Sequence, residues 1–196
     1  MQIIFDPECS IAQYAEQGKE FDFPELGRCQ NRRCRSQTVH KHGFYERNCF
    51  DGFAWYRVFI RRYRCPACGQ TVSFLPHLCL PWFQYSLVCL WRCLLARLKD
   101  NLSLRETRHR LRSQYPKLSW SLSQIRRYCV RFLDNLPKIE LVLREVDPHC
   151  FLGPPGQDKR KRAKKVLDII AGLSPIQSFV KLYNDLCHSS FLAPLR

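Results

Sequence analysis

The sequence predicts an α+β protein, an N-terminal zinc ribbon built on a β-hairpin followed by a mostly helical domain of helix-turn-helix type. Three observations lead there. Two cysteine pairs, Cys29 with Cys34 and Cys65 with Cys68, bracket thirty residues rich in aromatic and basic side chains. Between the pairs, apolar and polar residues alternate as in strands, and from Gln84 onward apolar residues recur with the period of a helix. Two Ser-x-x-Glu/Gln signatures, at Ser103 and Ser121, then open further helices.

Residues 1–27 form an acidic leader with six acids and one base. A short strand at Ile3 to Phe5 and a short helix from Ser10 to Gln17, stopped by Gly18, are expected here, packed against the basic remainder.

Residues 28–82 are the expected ribbon. Tetrahedral Zn²⁺ on four thiolates needs two tight loops that face each other, and Cys65-Pro66-Ala67-Cys68-Gly69 supplies one, with a glycine to relieve the backbone after the last ligand. Cys29-Gln30-Asn31-Arg32-Arg33-Cys34 supplies the other at a looser spacing, so His40, His42 and Cys49 stay open as substitute ligands. Arginines flank both pairs (Arg28, Arg32, Arg33, Arg35, Arg64), a poor setting for thiols acting as small core hydrophobes. Nothing in the pattern leaves an open coordination position beside a base, so the zinc is read as structural and no catalytic residue is assigned. Strands are expected at Thr38 to Arg47 and Ala54 to Arg64, joined at the turn signal Asp51-Gly52. On the second strand Arg57, Phe59, Arg61 and Tyr63 share one face, a basic and aromatic strip suited to a phosphate backbone, with Arg57 and Arg61 as candidate contacts.

Residues 83–136 are the expected helical domain. Leu87, Leu90, Trp91, Leu94, Leu95 and Leu98 make the apolar stripe of a core helix. A second helix runs from the capping box at Ser103 to about Arg112, and a third opens at Ser121 and buries Leu122, Ile125, Cys129, Phe132, Leu133 and Leu136. Its outer face carries Ser123, Gln124, Arg126, Arg127 and Arg131. Gln pairs bidentately with adenine and Arg with guanine, so these are the candidate base-reading residues. The connection from Ser113 to Trp120 is about twice the usual three or four residues of a tight turn. Residues 137–196 are expected to form a helical and basic tail: a short helix after Pro137, breakers at Asp147-Pro148 and Gly153-Pro154-Pro155-Gly156, the cationic run from Lys159 to Lys165, and a last helix from Ile176 to Cys187. Within the run, Lys159, Arg160, Lys161 and Arg162 are candidate phosphate contacts. An arm on DNA, a dimerising helix and a part of the core are all open for this tail.

Charge narrows the function. Thirty-two Lys and Arg oppose seventeen Asp and Glu, for a net +15. Residues 28–64 carry ten bases and two acids, and residues 92–131 eleven and two. Three separate cationic segments make a nucleic acid the leading partner. The chain turns acidic at once after Met1, without the charged and apolar pattern of a secretory signal, so a cytoplasmic, nucleoid-associated location is expected. Twelve cysteines there argue for metal and free thiols over disulfides. The apolar stretch from Phe74 to Leu98 is interrupted by Pro76, His77, Pro81, Arg92 and Arg97, so no membrane span is expected. Strand-transfer chemistry needs three gathered carboxylates, and Asp134, Glu140, Glu145 and Asp147 read as helix-surface acids.

His42-Gly43-Phe44-Tyr45-Glu46-Arg47, then Arg61-Arg62-Tyr63-Arg64-Cys65-Pro66-Ala67-Cys68-Gly69, then Leu80-Pro81-Trp82-Phe83-Gln84-Tyr85-Ser86 resemble the zinc-ribbon domain of bacterial transposase-like proteins. Short stand-alone members with a following helix-turn-helix are similar along nearly the whole chain. The resemblance implies recognition of double-stranded DNA in a mobile-element setting, with zinc on Cys65 and Cys68 and on Cys29 and Cys34. Whether the chain works alone or with a separate transposase or recombinase is open, as is a homodimer. Two other readings compete: an RNA-binding ribbon that stacks bases on Tyr45, Trp55, Phe59 and Tyr63, and an adaptor whose basic surface serves an acidic protein.

Overall fold

The structure is a computed structural model that describes residues 1–150, 152, 156, 158–173 and 176–194. Gly153 to Pro155 of the expected linker lie outside the described residues.

Four strands form one mixed sheet in the order β1-β4-β3-β2. Strands β2 (His40–Phe50) and β3 (Trp55–Arg64) pair antiparallel through the turn at Asp51-Gly52. Asp51 Oδ1 accepts from the amides of Phe53 (2.8 Å) and Ala54 (2.9 Å), the Asx geometry that favours a turn here. Gly52 has φ +113°, which only glycine takes without strain, and the face of Tyr115 leaves no room for a Cβ. β4 (Thr71–Pro76) follows antiparallel to β3, and β1 (Gln2–Phe5) closes the sheet parallel to β4. The leader is thus a strand of the same sheet. The helix after it, α1 (Ile11–Gln17), is capped by Ser10 and Gln13 and lies on β3, where the Tyr14 hydroxyl donates to the Phe59 carbonyl at 2.7 Å.

The helical body begins at Ser86, which caps α2 (Leu87–Leu94); a π turn extends it over Leu95–Lys99. Both capping boxes form, Ser103 with Glu106 on α3 (Leu104–Gln114) and Ser121 with Gln124 on α4 (Leu122–Val146). The expected break after residue 136 is absent: α4 is one helix of 25 residues with Pro137 inside it. Pro137 points to solvent, and Phe132, Leu136, Ile139, Val142 and Leu143 on either side of it all enter one core, so packing outweighs the lost hydrogen bond. Helices α5 (Lys159–Gly172) and α6 (Ile176–Cys187) bury Ala163, Val166, Leu167, Ile170, Phe179, Val180 and Tyr183 in that same core. The tail is therefore part of the fold. Asn135, buried on α4, donates to the carbonyls of Arg131 (2.7 Å) and Ala193 (2.8 Å) and pins the chain beyond α6.

Sheet and helices are tied together. Phe50, at the end of β2, exchanges backbone hydrogen bonds with Gln84 and Ser86, and its ring joins the helical core. The stretch Phe74 to Leu98 divides between β4 and α2, and among the described residues no single helix is long and apolar enough to cross a membrane.

Candidate metal centre

Two loops meet at one end of the hairpin. The first knuckle is held by the Cys29 amide donating to Ser36 (3.1 Å) and the Cys34 amide donating to Asn31 (2.8 Å). The second joins the end of β3 to the start of β4, with Cys65 bonded to Gln70 and Gly69 to Cys65, and Gly69 at φ +71°. The four sulfurs of Cys29, Cys34, Cys65 and Cys68 lie within 4.8 Å of one another. Cys29 Sγ is 3.6 Å from Cys68 Sγ, and Cys34 Sγ is 3.8 Å from Cys65 Sγ. A tetrahedron with metal–sulfur bonds of about 2.3 Å has edges of about 3.8 Å, so the quartet has the dimensions to hold a zinc-sized ion.

Backbone amides lower one of these thiols, while Cys29, against the Asn31 amide, is pushed up to about 12 by burial and its neighbouring thiols, and Cys34 is pushed up likewise. The Cys68 amide, with that of Ala67, holds the Cys65 thiol down to about 6 against the opposing effect of burial. Asn31 N–H points at Cys29 Sγ from 3.4 Å. The substitute ligands stay out of the cluster: His40 and His42 lie exposed on β2, and Cys49 is buried in the sheet core against Cys79. Cys89 and Cys93 are likewise core residues on α2. Arg28, Arg32, Arg33, Arg35 and Arg64 ring the centre, all exposed.

The expected nucleic-acid contacts meet different fates. Arg126 and Arg127 project from the first turns of α4 into solvent, next to exposed Ser123. Gln124 is engaged, because its Oε1 accepts from the Ser121 amide at 2.9 Å. Arg131 is half-buried, with its guanidinium 5.5 Å from the centre of the Phe83 ring. Arg57 is exposed and pairs with Glu46 at 2.5 Å, and Arg61 sits 4.6 Å over the Phe44 ring. Phe59 lies under Lys19, and Tyr63 is buried against Phe74, so the leader and β4 cover much of the strip that the sequence offered to a ligand.

Lys159, Arg160 and Lys161 are exposed at the start of α5. Arg162 requires a correction. It makes a two-pronged ion pair with Glu140, Nε to Oε1 at 3.0 Å and Nη2 to Oε2, inside the helical body. Glu140 is correspondingly no surface acid, since its side chain is only 3% exposed.

One grouping of side chains was not foreseen. Arg47, Arg62, Trp82 and Lys138 gather with Arg131 along one cleft. They come from β2, β3, a loop and α4, and no local pattern links them. No family model, curated protein or solved structure matches the chain.

Proposed function

We propose that this chain is a zinc-stabilised DNA-binding protein of the transposase-like type that its motifs resemble. In this reading a zinc ribbon and a helix-turn-helix formed by α2 to α4 contact adjacent stretches of duplex, and no catalytic domain is present. One observation carries it most: a four-thiolate centre whose rim is five exposed arginines, on the same chain as a helix whose capped N-terminus presents Arg126 and Arg127 to solvent. The metal would fix the knuckles that aim the arginine rim, a structural role that explains why two loops of such charge lie together. Arg126 and Arg127 would read base edges, while Lys159, Arg160 and Lys161 track phosphate.

The acids favour a non-catalytic reading. Glu140 is bound to Arg162, and Asp147 accepts the His149 amide at 3.0 Å, so these carboxylates serve local structure. The RNA alternative loses much of its stacking platform, with Tyr63 buried and Phe59 covered.

Selection of binding sites from a random duplex pool with zinc-loaded protein, beside a chelated sample and a single-stranded RNA pool, tests the reading. An enriched duplex motif lost on chelation is expected. Arg127→Ala should then relax recognition by roughly 1–3 kcal/mol at one base pair, whereas Lys161→Ala should weaken all sequences alike. Failure to enrich any duplex motif would overturn it.

A further inference from the structure

A cleft of about 1140 Å³ runs between the sheet, the loop at residues 81–84, α4 and the segment after α6. Arg47 and Arg62 face it from the sheet side, and Arg131 and Lys138 from α4. No Asp or Glu lines it among the described residues. Nor does any of these four cations belong to one of the ion pairs among them. Like charges gathered in one concavity repel, and a cleft lined by one sign focuses its field on a ligand of the other.

The charges are held in place. An Arg47 Nη2 donates to the carbonyls of both Leu80 and Phe83, which ties the loop to β2 and orients the guanidinium. Arg131 lies over the Phe83 ring. Arg62 Nε is buried without a hydrogen-bond partner among the described residues, a donor whose desolvation they do not offset. At the mouth stands Trp82, 75% exposed and at φ +70°, a conformation that a bulky residue rarely adopts. An indole held out at the rim of a cationic cleft is a stacking platform.

We propose that this cleft binds an unpaired stretch of nucleic acid. Arg47, Arg62, Arg131 and Lys138 hold its phosphodiesters, and one base stacks on Trp82. At about 1140 Å³ the cleft lies at the top of the roughly 300–1,000 Å³ range of ligand pockets, room for more than a single nucleotide. Cations on opposing walls suit a strand that passes between them. This site is separate from the arginine rim and from Arg126 and Arg127, and it stands whether or not those bind duplex.

The test is fluorescence anisotropy of short labelled oligothymidylate and oligouridylate on the zinc-loaded full chain, with inorganic tripolyphosphate and ATP as competitors. Trp82→Ala removes one stacked base and should weaken binding about tenfold. Lys138→Gln should weaken it and flatten its salt dependence. Both side chains are exposed, so both variants should fold, with circular dichroism as the check. Lys117→Gln, which removes an exposed cation outside the cleft, should leave single-strand affinity unchanged, which separates this site from general attraction to a basic chain. Unchanged affinity in Trp82→Ala and Lys138→Gln would overturn the proposal. So would full competition by tripolyphosphate with no effect of Trp82→Ala, which would mark a site for simple polyanions.

Discussion

Arg162→Ala decides whether the cationic run at the start of α5 is a uniform phosphate-tracking segment. Its guanidinium is bound through two nitrogens to Glu140, whose side chain is 3% exposed, while Arg162 itself is 28% exposed. Removing one partner of a buried pair costs about 3–5 kcal/mol, because the other charge stays desolvated and unpaired. The partial opening on the arginine side admits water, so the lower end applies, about 3 kcal/mol. That is a large share of the roughly 5–15 kcal/mol that separates folded from unfolded domains. With a urea m-value of about 2–3 kcal/mol/M for a chain of this size, the unfolding midpoint of zinc-loaded protein followed by far-ultraviolet circular dichroism should fall by about 1 M or more. The paired change Glu140→Leu with Arg162→Met should recover most of the loss, since it removes both charges and keeps the volume. An unchanged midpoint in Arg162→Ala together with weaker DNA binding would refute this account and return Arg162 to the ligand surface.

Three further outcomes follow from the centre and the hairpin. Cys34→Ser should abolish tight metal binding, and cobalt-loaded wild-type protein should show the absorption of tetrahedral thiolate coordination that the variant lacks; equal spectra would exclude Cys34 as a ligand. Metal-free protein should contain one thiolate that titrates near pH 6 by ultraviolet absorbance and disappears in Cys65→Ala; because folding lowers that pKa, its contribution to stability is present at alkaline pH and is lost as pH falls through about 6. Gly52→Ala places a Cβ 2.3 Å from Tyr115 at φ +113°, so Tyr115 must move and the cost is about 1–3 kcal/mol, read as a drop of several degrees in Tm; an unchanged Tm would show that the turn relaxes freely.

Short-range chemistry was the legible part of this chain. Ser10, Ser103 and Ser121 each cap the helix expected to follow, Asp51-Gly52 turns the hairpin, and Ile176 to Cys187 is the last helix. These signals act within four residues, so sequence alone contains both partners. Even there, one group can be engaged twice over: the Gln124 Oε1 is held by the capping box that helped predict α4, so reading a base with it would cost that cap. Pro137 misled for the opposite reason. A local rule ends a helix there, but the apolar stripe on both sides of it reaches a core assembled from α2, α5 and α6.

The fate of a charge was the least legible, because it depends on a partner distant in sequence. Arg160, Lys161 and Arg162 are adjacent, yet the first two are exposed and the third faces Glu140, twenty-two positions earlier. Arg61 and Arg62 are neighbours on β3, where strand alternation sends one over Phe44 and the other into the cleft with Arg131 from α4. The positive charge therefore divides by surroundings: arginines that hold the fold, arginines beside the metal centre, cations that converge on one concavity, and exposed cations on the first turns of α4 and α5. All but the first are open to phosphate. Arg162, paired with buried Glu140, would have to give up a carboxylate before binding a phosphodiester, so substitution there should report on stability before affinity, whereas the exposed Arg57–Glu46 pair contributes little and leaves Arg57 open to a ligand.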